Sequence, residues 1–469
     1  MSLNGAFMIP FWQRLAGVGE EAARRWLAPV PASILKHSPA GELAVLALPP
    51  PQGVAGRPSP AAPSRLNPRR PPGDAPAFSA GISVELRSLA SCRALLGEWR
   101  DLQSRSLEPN AFATPELMLA AAQHLPAAQP PAALVLRSTR RLLGVIPLDS
   151  ARLPVLPGAL HAYATPYHPV GVPLIDARQA DQVIMQVLDW CAAQAGAMNA
   201  ASGQMLGLAG LVWRKLPLDG PFATLLARIA SATGRELTVL DAYERPVLTR
   251  PDQRSPDPSG AATQFKSHRK SLRRLGREMA ELGPLRFVEA STPAAIGPAL
   301  EALMVMEAAG WKGLRGTAMV QNARLSCFIR VSMRQMAASH EASVTTLMLG
   351  ETPIAAALML EQKGVHFCYK IAYDPAFARF SPGTALAREI GLRLQEKPGF
   401  LRADSCADAA GGFMSRVWHE SVRFGDVMLA LPCRRTPASA AMRLRERLRR
   451  RLRAGAKRLY HGLKRPSRG

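Results

Sequence analysis

The stretch Pro375-Ala-Phe-Ala-Arg379-Phe380-Ser381-Pro382-Gly383-Thr384-Ala385 has the residue types of an anion cradle. Such a cradle needs free backbone donors, close approach and positive potential. Gly383 carries no side chain to block a phosphate. Pro382 in a first helical turn wastes no donor. Ser381 and Thr384 offer hydroxyls, Arg379 offers a charged fork, and the positive end of the following helix adds its dipole. Asp374 stands next to this loop and is suited to accept its N–H bonds. Asp404 ends the strand-like FLRAD. Tyr369 and Tyr373 lie with Phe367 and Ile371 on one face of VHFCYKIAYD by period-two alternation. Glu307 is one helical turn before Trp311-Lys312-Gly313, and Trp418-His419 closes a later short helix. The six cysteines, Cys92, Cys191, Cys327, Cys368, Cys406 and Cys433, have no metal-ligand spacing, so no metal is expected.

The elements that would position these groups follow from periodicity and turn chemistry. Residues 264–281 read as a very basic helix and LRFVEAS as a strand. Helices follow at 293–310 and 322–339. Three strands, ASVTTLML, PIAAALMLEQ and VHFCYKIAYD, are joined by the short turns GET and KG, which implies an antiparallel meander. A helix from Pro382 or Gly383 to Glu396, the strand FLRADSCA, a short helix at 413–419 and a last strand VRFGDVMLAL complete the half. Residues 81–250 alternate strands and helices, ending on LTVLDAY. Residues 1–80 are too rich in Pro, Ala, Gly and Arg to bury a core and read as a disordered leader, with a short amphipathic segment through Phe7, Phe11, Trp12 and Leu15. Residues 251–263 read as a linker by their Pro, Ser and Asp content.

The element order, the Gly-x-Ala end of the loop at Gly383–Ala385, the string Tyr373-Asp-Pro-Ala-Phe-Ala-Arg-Phe-Ser-Pro-Gly383 and Glu307-x-x-x-Trp311-Lys312-Gly313 together resemble the GNAT superfamily. The resemblance points to the subgroup of cellulose-biosynthesis-associated, CelD-like acetyltransferases and covers roughly 264–430. In that family the loop reads Gln/Arg-x-x-Gly-x-Gly/Ala. Here Phe380 takes the Gln/Arg position and Arg379 precedes it. The resemblance implies an α/β (α+β) fold of tandem GNAT-like domains, with a mixed, mostly antiparallel sheet flanked by helices. A degenerate unit at 81–250 would shape the acceptor site and an acyltransferase unit would span 264–432.

It also implies acetyl-CoA or another acyl-CoA as co-substrate, with no metal. Transfer would go directly to a hydroxyl or amine of a sugar, glycan precursor or amino compound. On this reading Arg379 to Ala385 (Arg379, Phe380, Ser381, Pro382, Gly383, Thr384, Ala385) hold the pyrophosphate. Asp404 is the proton acceptor, and Tyr369 or Tyr373 the acid. Glu307, Trp311, Lys312, Asp374 and Trp418 line the acceptor site. The alternative is a Fem-like transferase that takes aminoacyl-tRNA and no CoA, or a non-catalytic protein that binds RNA or membrane on the same fold.

The chain is 469 residues, 48% hydrophobic, with a formal net charge of +24. It shows no apolar run of the ~18–20 residues that a membrane-spanning helix needs and no secretory leader, so a cytoplasmic protein is expected. From residue 434 onward 14 Lys/Arg face a single acid, Glu446. Leu444, Leu448, Leu452, Leu459 and Leu463 recur near one helical face of this tail (433–469). A basic amphipathic helix of this kind suits an anionic membrane surface, which implies peripheral attachment at the inner membrane through 441–465. Nucleic acid is the weaker partner for it, because Tyr460 is the tail's one aromatic residue apart from His461.

Overall fold

The computed structural model describes residues 81–463, apart from 128, 151–153, 155–156, 196, 198–206, 251–261, 408–411 and 434–435. For 262–269, 453–454 and 456–463 it describes the backbone alone. The leader at 1–80 lies outside the described residues. So does the linker at 251–263 except for Ala262 and Thr263, which open a helix.

From Ser79 onward the chain is one compact unit. Its first half runs β1 (Ser83–Ser88), α1 (Leu96–Ser104), α2 (Pro115–His124), β2 (Ala132–Arg137), β3 (Leu142–Leu148), β4 (Gly158–His161), β5 (Leu174–Ile175), α3 (Ala180–Gln194), β6 (Leu208–Pro217), α4 (Pro221–Thr233) and β7 (Leu237–Thr249). The second half runs α5 (Ala262–Ala280), β8 (Leu285–Ala290), α6 (Pro293–Ala309), α7 (Trp311–Leu314), α8 (Ala323–Ala338), β9 (Ala342–Leu349), β10 (Thr352–Gln362), β11 (Val365–Tyr373), α9 (Pro382–Glu396), β12 (Arg402–Asp404), β13 (Glu420–Ala430) and α10 (Pro437–Leu463).

Local chemistry explains the boundaries that matter for the site. The Thr292 hydroxyl accepts the Ala295 N–H, and Pro293 fills the first turn of α6. The Asn322 side chain caps α8 by accepting the Leu325 N–H. α4 ends on Gly234 in the left-handed region, at φ +65°.

The strands form two sheets, β1-β2-β3-β5 and β4-β6-β13-β7-β12-β11-β10-β9-β8. Pairing is antiparallel except for β4 with β6 and β11 with β12. Each half therefore holds one parallel pair bridged by a helix, β4–α3–β6 and β11–α9–β12. Helices flank the sheets, so the mixed, mostly antiparallel α/β arrangement expected from the sequence is the one observed.

The halves also exchange strands. β7 of the first half lies between β12 and β13 of the second, and β13 pairs with β6 of the first. The sequence reading ends that first-half strand at Tyr243, but it continues to Thr249. Glu244-Arg245-Pro246 interrupts the apolar pattern and hides the extension. Arg245 is buried because its guanidinium finds partners in the fold: Asp404 at 3.3 Å, the Tyr243 hydroxyl at 2.7 Å and the Pro169 carbonyl at 2.9 Å. It also lies 3.7 Å from the Phe424 ring centroid.

Candidate active site

β11 and β12 pair only over Val365–Phe367 with Arg402–Asp404. β11 then runs on from Cys368 to Tyr373 with no strand beside it on that side among the described residues. Its other edge is paired to β10, with a register shift that leaves Tyr369 as the extra residue. Such a bulge takes backbone polar groups out of the ladder and reverses the alternation beyond it. The single face predicted for Phe367, Tyr369, Ile371 and Tyr373 is therefore corrected. Phe367, Tyr369 and Ala372 pack into the larger core cluster, whereas Ile371 packs with the cluster beneath α9.

Beyond Tyr373 the Asp374 carboxylate caps a 3-10 turn, Pro375–Phe380, by accepting the Ala376 N–H at 2.9 Å. Phe380 is buried, and the exposed Arg379 guanidinium lies 4.4 Å from its ring centroid. Ser381 reverses the chain with φ +52° and hands over to α9. This left-handed conformation costs a residue with a Cβ about 1–2 kcal/mol. Thr384 and Ala385 donate their N–H groups back to the Ser381 carbonyl at 3.0 and 3.1 Å. Pro382 has no N–H, so Gly383 supplies the donor left over at this helix start. No acid occupies the first turn of α9. Gly383 is buried, and a Cβ built on it would meet Tyr373 Cδ1 at 3.4 Å. The space left by the glycine thus faces Tyr373, and its N–H remains as a donor beside those of Thr384 and Ala385, which go to the Ser381 carbonyl. α5 packs against the 3-10 turn and exposes Lys270, Arg273, Arg274 and Arg277.

A solvent-open cleft of about 710 Å³ lies between this end of β11 and the α6–α7 corner. Glu307, Trp311, Lys312 and Tyr373 line it. One Glu307 oxygen bonds the Lys312 ammonium, and the other accepts the Met319 N–H at 2.7 Å. Trp311 is 59% exposed, with the Arg315 guanidinium 5.0 Å from its ring centroid. The corner depends on Gly313, because a Cβ there would fall 1.7 Å from the Ala308 carbonyl oxygen. The Trp-Lys-Gly string is therefore a packing requirement that aims Trp311 and Lys312 at the cleft.

The other residues singled out from the sequence lie elsewhere. The Tyr369 hydroxyl donates to the Tyr167 carbonyl at 2.9 Å, and burial holds its pKa well above the usual phenol value. Asp404 is buried, with one oxygen on Arg245 and the other accepting the Cys406 N–H at 2.7 Å. It braces the junction of β12 with β7 and presents no open carboxylate to the cleft. Trp418 is 2% exposed and packs beneath α9 with Leu248, facing Gly391. Asp404 and Trp418 both read as site residues from chain position, and burial is what the chain position does not reveal. Leu314, Ile371 and Pro375 also line the cleft. The 90% exposure of Leu314 has no signature in the sequence.

Residues 266–408 match the family model of an acetyltransferase (GNAT) domain. The second half of this chain carries a GNAT domain. The match spans the open edge of β11, the 3-10 turn and the start of α9, and is less than half of the chain. GNAT domains use acyl-CoA, and the acid-free helix start beside the open strand edge fits such a co-substrate. No curated protein matches the chain in sequence. Among solved structures the chain is similar to the C-terminal domain of a putative lysylphosphatidylglycerol synthetase from Agrobacterium fabrum (12% identity, 72% of this chain and 92% of that one, TM-score 0.45). It is also similar to a tandem GNAT protein from the clavulanic acid biosynthesis pathway (14%, 75% and 99%, TM-score 0.36). A third similarity is to FemX (10%, 71% and 95%, TM-score 0.44).

Proposed function

We propose that the chain transfers an acyl group from acetyl-CoA or another acyl-CoA to a hydroxyl or amine of a sugar, glycan precursor or amino compound, as CelD-like acetyltransferases do. The observation that carries this reading is the edge Cys368–Tyr373, unpaired among the described residues, which leads through the 3-10 turn to a helix start free of acids. The Gly383 N–H, the α9 dipole and Arg379 hold the pyrophosphate. The open backbone edge of β11 pairs with the amide arm of the donor, and the bulge at Tyr369 supplies N–H groups to the thioester carbonyl.

Glu307, Lys312 and Trp311 orient the acceptor, Trp311 as an exposed aromatic platform. The acceptor oxygen or nitrogen bonds to the acyl carbon and the carbon–sulfur bond breaks. The acceptor's proton passes to water in the open cleft. Tyr373, 44% exposed at the cleft wall, gives the thiolate its proton. Asp404 acts through Arg245 as a positioning residue.

Calorimetric titration with acetyl-CoA and CoA tests the donor site. Wild type is expected to bind both, and Gly383→Glu to lose at least about 100-fold in affinity by placing negative charge in the first turn of α9, where it opposes the helix dipole that would hold the pyrophosphate. A folded wild-type protein that binds neither ligand would sink the reading. The exposed basic side of α5 beside the 3-10 turn supports a second reading, a transferase that takes aminoacyl-tRNA. A gel shift with aminoacyl-tRNA, together with silent calorimetry, would favour it.

A further inference from the structure

Over Met442–Leu452, α10 is docked to the body mainly by one face. Met442 is buried with Ala209, Val212, Met428 and Ala430. Glu446 bonds His161 Nε2 at 3.1 Å, and Arg450 meets Asp426 at 2.7 Å. Arg443 pairs with Glu236. Met442, Glu446 and Arg450 are spaced i, i+4, i+8. Leu444, Leu448 and Leu452 have the same spacing but are offset by two positions, roughly 200° around the helix. They stand 68%, 55% and 65% exposed, on the side away from the body. Arg445, which also reaches the Pro157 carbonyl at 3.4 Å, flanks this stripe on one side and Arg447 and Arg451 on the other, all exposed. The helix's one acid, Glu446, is taken up in the docked face, so the outward face is apolar at its centre and wholly cationic at its margins.

We propose that this outward face of α10 seats the protein flat on an anionic lipid bilayer. The three leucines enter the headgroup–acyl boundary and the arginines pair with lipid phosphates. Docking through Met442, Glu446 and Arg450 fixes the orientation before binding, so the helix meets the surface already folded and aimed. Exposed leucines distinguish this occupant from a nucleic acid, whose phosphates would engage the arginines and leave the apolar stripe in water. Among the described residues no helix is long and apolar enough to cross a membrane. The proposal is independent of the acyl-transfer reading.

The test is co-sedimentation of the full chain with vesicles of phosphatidylcholine, with and without phosphatidylglycerol. Wild type is expected to bind the anionic vesicles alone. Leu444→Ser, Leu448→Ser and Leu452→Ser together should weaken partitioning at least about tenfold, as should Arg445→Gln, Arg447→Gln and Arg451→Gln together. All these side chains are exposed, so unchanged thermal melts and acetyl-CoA titrations are expected for both variants. Absence of wild-type binding overturns the proposal. Undiminished binding by the leucine variant also overturns it, since that leaves adsorption by charge alone. Binding to duplex RNA but not to vesicles assigns the face to nucleic acid instead.

Discussion

Two helices in this molecule cross over between parallel strands, and their first turns differ in charge. α3 begins with Asp181 in its first turn, paired with Arg228 at 2.7 Å. Just upstream the buried Asp176 accepts the Arg178 N–H at 2.9 Å and carries Arg105 and Arg141. α9 begins with Pro382 and Gly383, has no acid, and has an exposed arginine two residues before its cap. By position from the helix start, Gly383 corresponds to Asp181. The same crossover is thus built once as an internally neutralised brace and once with a first turn free of acids. The contrast supports the proposal that the donor binds in the second half.

The largest effect tests what joins the halves. Arg245 comes from the first half and Asp404 from the second, and removing one leaves the other charged and buried. Asp404→Ala should destabilise the fold by about 3–5 kcal/mol in denaturant melts, and Arg245→Met with Asp404→Leu should recover most of that loss. The next variant makes α9 resemble α3. Gly383→Asp should weaken acetyl-CoA binding roughly thirtyfold, whereas Asp181→Gly should leave it unchanged in calorimetry. If Asp181→Gly also altered affinity, the division of labour between the helices would fail.

A smaller effect lies at another contact between the halves, where the Gln103 side chain of α1 donates to Glu341 ahead of β9. Burial first, and Glu116 second, raise the Glu341 pKa to about 7. Its stabilising contribution is therefore full below the unfolded carboxyl value and is lost as pH rises through about 7. Glu341→Gln should gain about 2 kcal/mol at pH 8 and little at pH 4.5. His366, which lines a separate recess together with Glu341, has its pKa lowered to about 4 by burial, and the buried His168 to about 3. Those two contribute above pH 6.5 and lose their contribution as pH falls through the folded values, so they oppose Glu341 on the acid side. Arg379→Ala should weaken donor binding about fivefold. Smallest of all, Gly383→Ala should change stability by less than about 0.5 kcal/mol, because its Cβ would make only an ordinary contact with Tyr373. Together with Gly383→Asp it separates bulk from charge.

Most elements of the second half are legible in the sequence because caps, turns and periodicity agree there. Thr292-Pro293, Asn322 and Ser381-Pro382 each mark a helix start that is observed. The string Trp311-Lys312-Gly313 stands out in the sequence by resemblance alone, and the close backbone approach that requires Gly313 is visible only in the fold. What escaped notice depends on distant partners. Arg245 looks like a loop residue until Asp404 is brought beside it. The bulge at Tyr369 follows from register with β10, which no local pattern encodes. Trp418 has the composition of a site residue but packs beneath α9.

The strand exchange has a consequence for how the polypeptide is made. β6 pairs with β13, so that Gly210 meets Ala430, and β7 finds both its neighbours in the second half. As the chain leaves the ribosome the first half has no way to complete its sheet, and its open strand edges wait for most of the remaining synthesis. Such long-range pairing slows folding and leaves unpaired edges exposed to aggregation. Expression cut at the 251–263 boundary should therefore yield insoluble protein rather than a separable domain.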